Sequence, residues 1–535
     1  MYQRIRITKS LLPGLALTFA LVFMLIASPV YAQSEQPPEE PASVIQEGNS
    51  VPNEELPLEG SEEILSEPET NPSISPTLEG EESIETEAPP ESHTDLEPAL
   101  ELVIDELANN DLALIDGNGE TLDLASQESA EILSGADPYW TVGTTKYAVV
   151  KNMSFCPSGT TFGVTCWVDA NPIFFALGQI SLPGFFPTDG FLYVEGDTYN
   201  ESITITGGAL ATLKGIIGVD GSSSTILNGN VNVSNTTAGF TLQGFTINGR
   251  LLFNNNTGTL NFTDLDVNYT TAALAPISVS NHNGAINVNQ VKSSGNRGSN
   301  SFNNSVGTGN ITIINSAFDH NNPASVGLYA HGLYINTNGS ITLDGVSASN
   351  NNGSGLFVLQ GANLTIRNSV FNNNYGTPDN GGAGYGITAP MNGNITISQT
   401  IANNNEKSGL ILSSSGNVTL TDITAFSNGE YGALLNSTPG AGTVKISYSD
   451  FNSNARTGLN IDAKGAVTLT SVKASNNVWG GVDIDNCQWN GSTCTGSGTV
   501  TITSIASKGE LFANQFNENG WFGIDVNSKD LKSVV

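Results

Sequence analysis

The sequence predicts an all-β solenoid, a right-handed parallel β-helix of roughly a dozen rungs, on three observations. A strand phrase of the type Ile-Thr-Ile recurs eight times, starting at Ile311, Ile341, Leu364, Ile395, Val418, Val444, Val467 and Val500. The spacing between starts falls three times to a minimum of 23 residues. An Asn stands ten residues after seven of the starts in succession.

Each element follows from these. A 23-residue unit with β-branched alternation is too short for a strand–helix–strand crossover, but it makes a rung of short strands joined by turns. One rung cannot bury its apolar face alone, whereas stacked rungs share a continuous core. Parallel strands then stack about 4.8 Å apart, and the crossover hand is expected to be right. Each longer spacing needs one insertion, the three largest being seven residues after Asn321, eight after Asn374 and ten after Val482. The recurrent Asn are Asn321, Asn351, Asn374, Asn405, Asn428, Asn454 and Asn477, and Asn519 recovers the count in the last rung. They are expected to form a ladder along one edge, each amide satisfying turn groups above and below. Gly355, Gly409, Gly432, Gly458 and Gly481 follow four residues later and open a second apolar strand.

At these residues the chain resembles the right-handed parallel β-helix repeat proteins, the pectin-lyase-like superfamily that includes many bacterial surface proteins. The phrase Gly196 to Ile205 looks like that family's lead-in to the first rung. Asn171-Pro172 starts a short helix whose Ile173, Phe174 and Leu177 would cover the open end. Less regular rungs start near Phe240, Leu260 and Ile286. The resemblance spans residues 139–535, with 139–199 as the cap and 200–535 as the repeats. It implies the fold and leaves the activity open, because the superfamily hosts lyases, hydrolases, epimerases and non-enzymes.

Residues 1–32 read as a secretory signal: Arg4, Arg6 and Lys9, the apolar run Leu11 to Ala27, then Val30-Tyr31-Ala32. The rival reading is an uncleaved anchor, which Pro13 and Gly14 interrupt. Nothing else is long and apolar enough to span a bilayer. Residues 33–99 read as a disordered acidic spacer rich in Pro, Ser and Thr. No Lys or Arg occurs from Gln33 to Thr145, and Glu35 to Asp137 holds 29 of the 51 acidic residues, so the segment repels itself and buries too little to order. Residues 100–138 read as a small patch, with a hairpin around Asp116-Gly117-Asn118-Gly119 and a helix over 125–133. A net charge of −33 without a basic footprint excludes nucleic acid as a partner. Cys156 with Cys166 and Cys487 with Cys494 are expected as disulfides closing loops in an oxidising compartment. The alternative, a four-Cys metal site, lacks C-x-x-C spacing.

Strand alternation places candidate site residues. Asn460, Asp462, Asp483, Asp485, Asp525 and Asn527 should face outward on three neighbouring rungs, with Asp485 over Asp462 and Asp525 over Asp483. Earlier rungs put Phe357, Leu359, Ile411, Ser413, Leu434 and Asn436 in that strip. Beside it, two residues after each ladder Asn, runs a column of Lys407, Glu430, Arg456, Trp479 and Trp521. Exposed indoles next to carboxylates and amides suit a sugar, with Arg456, Trp479, Trp521, Asn460 and Asn527 as its contacts. Asp462, Asp483, Asp485 and Asp525 suit Ca²⁺, which takes several oxygen ligands. The plain alternative is a solvated acidic face.

The case for catalysis is thin. Arg456 is the one base beside the acidic rungs, and His331-Gly332 lacks the Asp pair and Arg-x-Lys of polygalacturonase-type hydrolases. Asp319-His320 reads as a turn. The sequons at Asn310, Asn394 and Asn417 coincide with rung starts, where Asn suits the turn and Thr the strand. The expectation is a secreted or cell-surface β-helix that binds polysaccharide or a surface partner. The alternatives are a polysaccharide lyase or glycoside hydrolase, and a purely structural module.

Overall fold

The computed structural model describes residues 171–535, apart from 183, 185, 271–273, 323–329, 377–383, 488–497, 505–512, 529 and 534–535, together with strand residues 114–115, 121–122, 139–142 and 145–150. The expected signal peptide, spacer, short helix over 125–133, Cys156, Cys166 and Cys494 lie outside these residues, as do most of the three insertions.

The chain winds into a parallel β-helix with strands collected in two sheets. The eight recurring phrases lie in one, and partner in perfect register from Ile311 through Ile341, Leu364, Ile395, Val418, Val444 and Val467 to Val500. The other sheet has 13 strands, running rung by rung from Ile203–Thr206 to Phe522–Asn527. Each strand buries alternate residues: Val418 and Leu420 go in while Thr419 stays out, and Leu459, Ile461 and Ala463 go in while Asn460 and Asp462 stay out. Fully burying each Ile, Leu or Val contributes about 1.5–3 kcal/mol, so the repeated alternation explains why register survives the insertions. Asn300 pairs with Leu333 across the insertion after Asn321, and Val467 with Val500 across the one after Val482.

The ladder is built from amides at one turn. Asn405 donates from both its backbone N and its Nδ2 to Asn428 Oδ1, each at 3.0 Å. The same double donation runs from Asn321 to Asn351, Asn374 and Asn405, and on through Asn428, Asn454 and Asn477 to Asn519. The residue before each ladder Asn is left-handed, including His320 at φ 58° and Asn404 at φ 54°. His320 therefore occupies a turn position that Asn or Ser fills in most other rungs. The Gly four residues after a ladder Asn makes room for the ladder Asn of the next rung. A Cβ on Gly432 would sit 2.5 Å from Gly458 O and 2.7 Å from Asn454 Nδ2. Gly432→Ala is therefore expected to destabilise the helix by about 1–3 kcal/mol, measured by denaturant unfolding.

The open N-terminal end is closed by the helix Pro172–Ile180, which buries Ile173, Ala176, Leu177 and Ile180. Phe174 is a correction: it is 60% exposed. At 100° per residue the face carrying positions 173, 176, 177 and 180 turns 174 outward. The buried carboxylate of Glu201 caps this helix, accepting from Ile173 N at 2.9 Å and Phe174 N at 2.7 Å. Upstream, Thr145–Val150 runs parallel to Phe191–Val194. The hairpin around Asp116-Gly117-Asn118-Gly119 is present as Leu114 opposite Leu122 and Ile115 opposite Thr121.

Candidate functional site

The 13-stranded sheet presents its outward side chains in columns one rung apart. One column reads Tyr334, Phe357, Thr388, Ile411, Leu434, Asn460, Asp483 and Asp525. The next reads Pro390, Ser413, Asn436, Asp462, Asp485 and Asn527. Asp485 therefore stacks on Asp462, and Asp525 on Asp483. Leu359 falls out of register at a bulge and is 48% exposed. The face passes from aromatic and aliphatic to acidic along the helix axis.

Burial pushes the Asp462 carboxyl above its ordinary range, and the charge of Asp485 adds to this. Asp483 is pushed up by burial first, then by Asp525, Asp462 and Asp485. The flanking amides go to these carboxylates. Asn460 Nδ2 donates to Asp483 Oδ2 at 3.2 Å, and Asn527 Nδ2 to Asp485 Oδ1 at 3.3 Å. Their donors are thus turned toward the strip itself. Among the described residues no three or more His, Cys, Asp or Glu gather as a group able to hold a metal ion. Asp462, Asp483, Asp485 and Asp525 form two facing pairs, since positions i and i+2 of a strand lie about 6.6 Å apart.

A carboxyl that ionises less readily in the fold than in the unfolded chain stabilises the fold below its unfolded pKa. That contribution is lost as pH rises through the folded pKa. Asp462 and Asp483 therefore cost stability at neutral pH. Asp483→Asn is expected to raise the melting temperature at pH 7. The gain should vanish when both proteins are melted well below the ordinary Asp value of 3.8.

The column beside the strip is one connected stack. Lys407 Nζ lies 3.4 Å from Glu430 Oε1, and Arg456 Nη2 3.8 Å from the same oxygen. The Arg456 guanidinium lies over the rings of Tyr431 and Trp479, at 5.5 and 5.2 Å. Trp479 and Trp521 are stacked, with centroids 5.3 Å apart and planes 4° apart. Trp521 is 73% exposed. Each indole stands four residues before a strip carboxylate, Asp483 or Asp525. Arg456 is engaged by Glu430 and two rings, so it supports the indoles rather than reaching the acidic rungs.

Sequence reasoning missed three features. Asn296 opens the ladder, taking its place ten residues after Ile286, and its backbone N donates to Asn321 Oδ1 at 3.1 Å. The ten-residue offset was there to find it. Tyr334 and Phe357 stack at 5.8 Å and 9°, and His331 lies on Phe357 at 5.0 Å and 22°. Burial lowers the His331 pKa to about 4, while Ser354 N donates to its Nδ1 at 2.9 Å. His331 is thus a neutral wall of that aromatic patch. The sequon Asn form a second turn ladder: Asn394 Oδ1 accepts from Asn417 N, and Asn417 Oδ1 from Thr443 N, at 2.8 and 2.9 Å. Cys487 is disulfide-bonded.

Residues 301–478 match the family model described as right handed beta helix region. Over these residues the chain therefore carries a right-handed parallel β-helix. No curated protein matches it. Among solved structures it is similar to the periplasmic alginate epimerase AlgG, at 12% identity and TM-score 0.35, over 60% of this chain and 75% of that one. It is also similar to the Azotobacter vinelandii mannuronan C-5 epimerase AlgE6 A-module, at 10% and 0.34, over 64% and 89%. Pectate lyase Pel9A gives 18% and 0.32, over 54% and 71%. Likeness this distant says nothing of what this chain binds. Among the described residues no helix is long and apolar enough to cross a membrane.

Proposed function

We propose that the protein is an extracellular or cell-surface β-helix that binds a polysaccharide along the C-terminal rungs of its 13-stranded sheet and does not cleave it. The observation that carries this reading is the stacked, parallel Trp479–Trp521 pair, with Trp521 73% exposed. The outer face of Trp521, with Trp479 and Arg456 stacked behind it, can pack the C–H surface of a sugar ring. Asp483 and Asp525, on the strands that directly follow the two indoles, accept the hydroxyls. Four carboxylates in one strip repel anionic polymers, so the ligand is neutral or carries amino groups. The acidic spacer over 33–99 would hold the helix away from the cell.

A second reading has one observation behind it. Half-buried Asp462 and Asp483, with carboxyls hard to ionise, have the property a glycosidase asks of its general acid. One screen separates the two. Purified protein is passed over neutral, amino and uronate polysaccharides, and the soluble fraction is assayed for new reducing or unsaturated ends. Retention on neutral or amino polymers with no new ends is the expected result. New ends would make the protein an enzyme, and retention on uronates alone would overturn the charge argument.

A further inference from the structure

A second concave site of about 310 Å³ lies at the bend after the first-sheet strands, lined by Asp422, Thr424, Tyr448, Asp450, Ser471 and Lys473 among others. It is made by three consecutive rungs and shares no residue with the acidic strip. At this bend each rung places one residue in the left-handed region. Successive rungs use Asp264, Gln290, Asn315, Gly345, Asn368, Gln399, Asp422, Tyr448 and Ser471. Asn, Asp and Gly tolerate that conformation, while a bulky side chain is strained there. Tyr448, at φ 53°, is the sole aromatic in the column. Tyr448 lines the site and is 42% exposed. A strained residue where the fold has easier choices points to a use for its ring.

The polar groups fit that ring. Asp450 and Lys473 are bridge partners on adjacent rungs. Their charged ends form no ion pair within 4.0 Å among the described residues. Asp450 Oδ1 is buried and accepts no hydrogen bond, which is costly unless a donor arrives. Burial pushes its carboxyl up despite Lys473. The site therefore offers a carboxylate short of a donor, an ammonium and an aromatic face.

We propose that this bend is a binding site for a single neutral pyranose unit. Its ring would pack on Tyr448, one hydroxyl would donate to Asp450, and a neighbouring hydroxyl would accept from Lys473. Asp422 and Asp450 disfavour a uronate, and Lys473 disfavours an amino sugar. The site works independently of the Trp479–Trp521 face.

The test is saturation-transfer NMR on the full chain, with methyl glucoside, methyl mannoside, methyl galactoside, glucuronate and glucosamine as probes. At least one neutral glycoside should bind wild type and also the Trp479→Ala/Trp521→Ala variant, so failure of the indole face would leave this result standing. Tyr448→Asn should weaken binding about tenfold through loss of the ring face. It should fold at least as well as wild type, because Asn suits the left-handed position. Asp450→Ala should abolish binding. The proposal is overturned by binding of no neutral glycoside, by preference for glucuronate or glucosamine, or by binding that Tyr448→Asn leaves unchanged.

Discussion

Asn405→Ala lowers the stability of the β-helix by about 1–3 kcal/mol, the cost of leaving buried donors unmet. Asn405 Oδ1 is the acceptor for both the backbone N and the Nδ2 of Asn374, at 3.0 Å each. Its own Nδ2 in turn reaches Asn428. Removing the amide strands Asn374 in a turn where it is fully buried. Asn405→Asp is the sharper variant. It keeps the acceptor toward Asn374 but replaces the Nδ2 donor with an oxygen facing Asn428 Oδ1, so it too destabilises at neutral pH. Urea denaturation measures both. A change within a few tenths of a kcal/mol, as expected for an ordinary surface site, would contradict the structural role assigned to the ladder.

Trp479→Ala/Trp521→Ala weakens polysaccharide binding at least ~30-fold, corresponding to ~2 kcal/mol for paired aromatic anchors. Trp521 alone removes the outer ring of the stack, while Trp479 also removes the surface that holds Arg456. The single Trp521→Ala variant leaves the melting temperature nearly unchanged, since the residue is 73% exposed. Arg456→Ala weakens binding less, by loosening Trp479 without removing a sugar-facing ring. Isothermal titration against the polymer found in the screen gives these ratios. Equal affinity for wild type and the double variant would detach the indoles from binding.

The rungs were legible because two periods repeat together. Alternation of two fixes which residues go in, and the 23-residue unit fixes which residues stack. Asp485 over Asp462, 23 residues apart, follows from those two numbers alone, while Asp525 over Asp483, 42 apart, also needs the Asn519 landmark that recovers the count. What the pattern leaves out is where each side chain goes once it faces outward. Asn460 and Asn527 alternate outward as expected, yet their amides turn to Asp483 and Asp485. Asp462, Asp483, Asp485 and Asp525 share a strip without converging, because convergence depends on distances that a period does not carry. Phe174 was misplaced for a related reason: composition suggested an apolar lid, but one face of a helix had to be chosen. Tyr334 and Phe357 lie 23 residues apart, with His331 just ahead, so their stack was within reach of the same arithmetic. The bend site at Tyr448 was not, since a left-handed residue gives little signal when Tyr replaces the usual Asn or Asp.

The central claim is that the Trp479–Trp521 face holds the sugar. The chain has five Trp, so ¹⁹F NMR of protein labelled with 5-fluorotryptophan and titrated with a retained polysaccharide tests it directly. The account predicts that the resonances assigned to Trp479 and Trp521 by substitution move together and saturate, while the other three stay in place. Movement confined to the other three, or none at a polymer concentration that gives full retention, would contradict it.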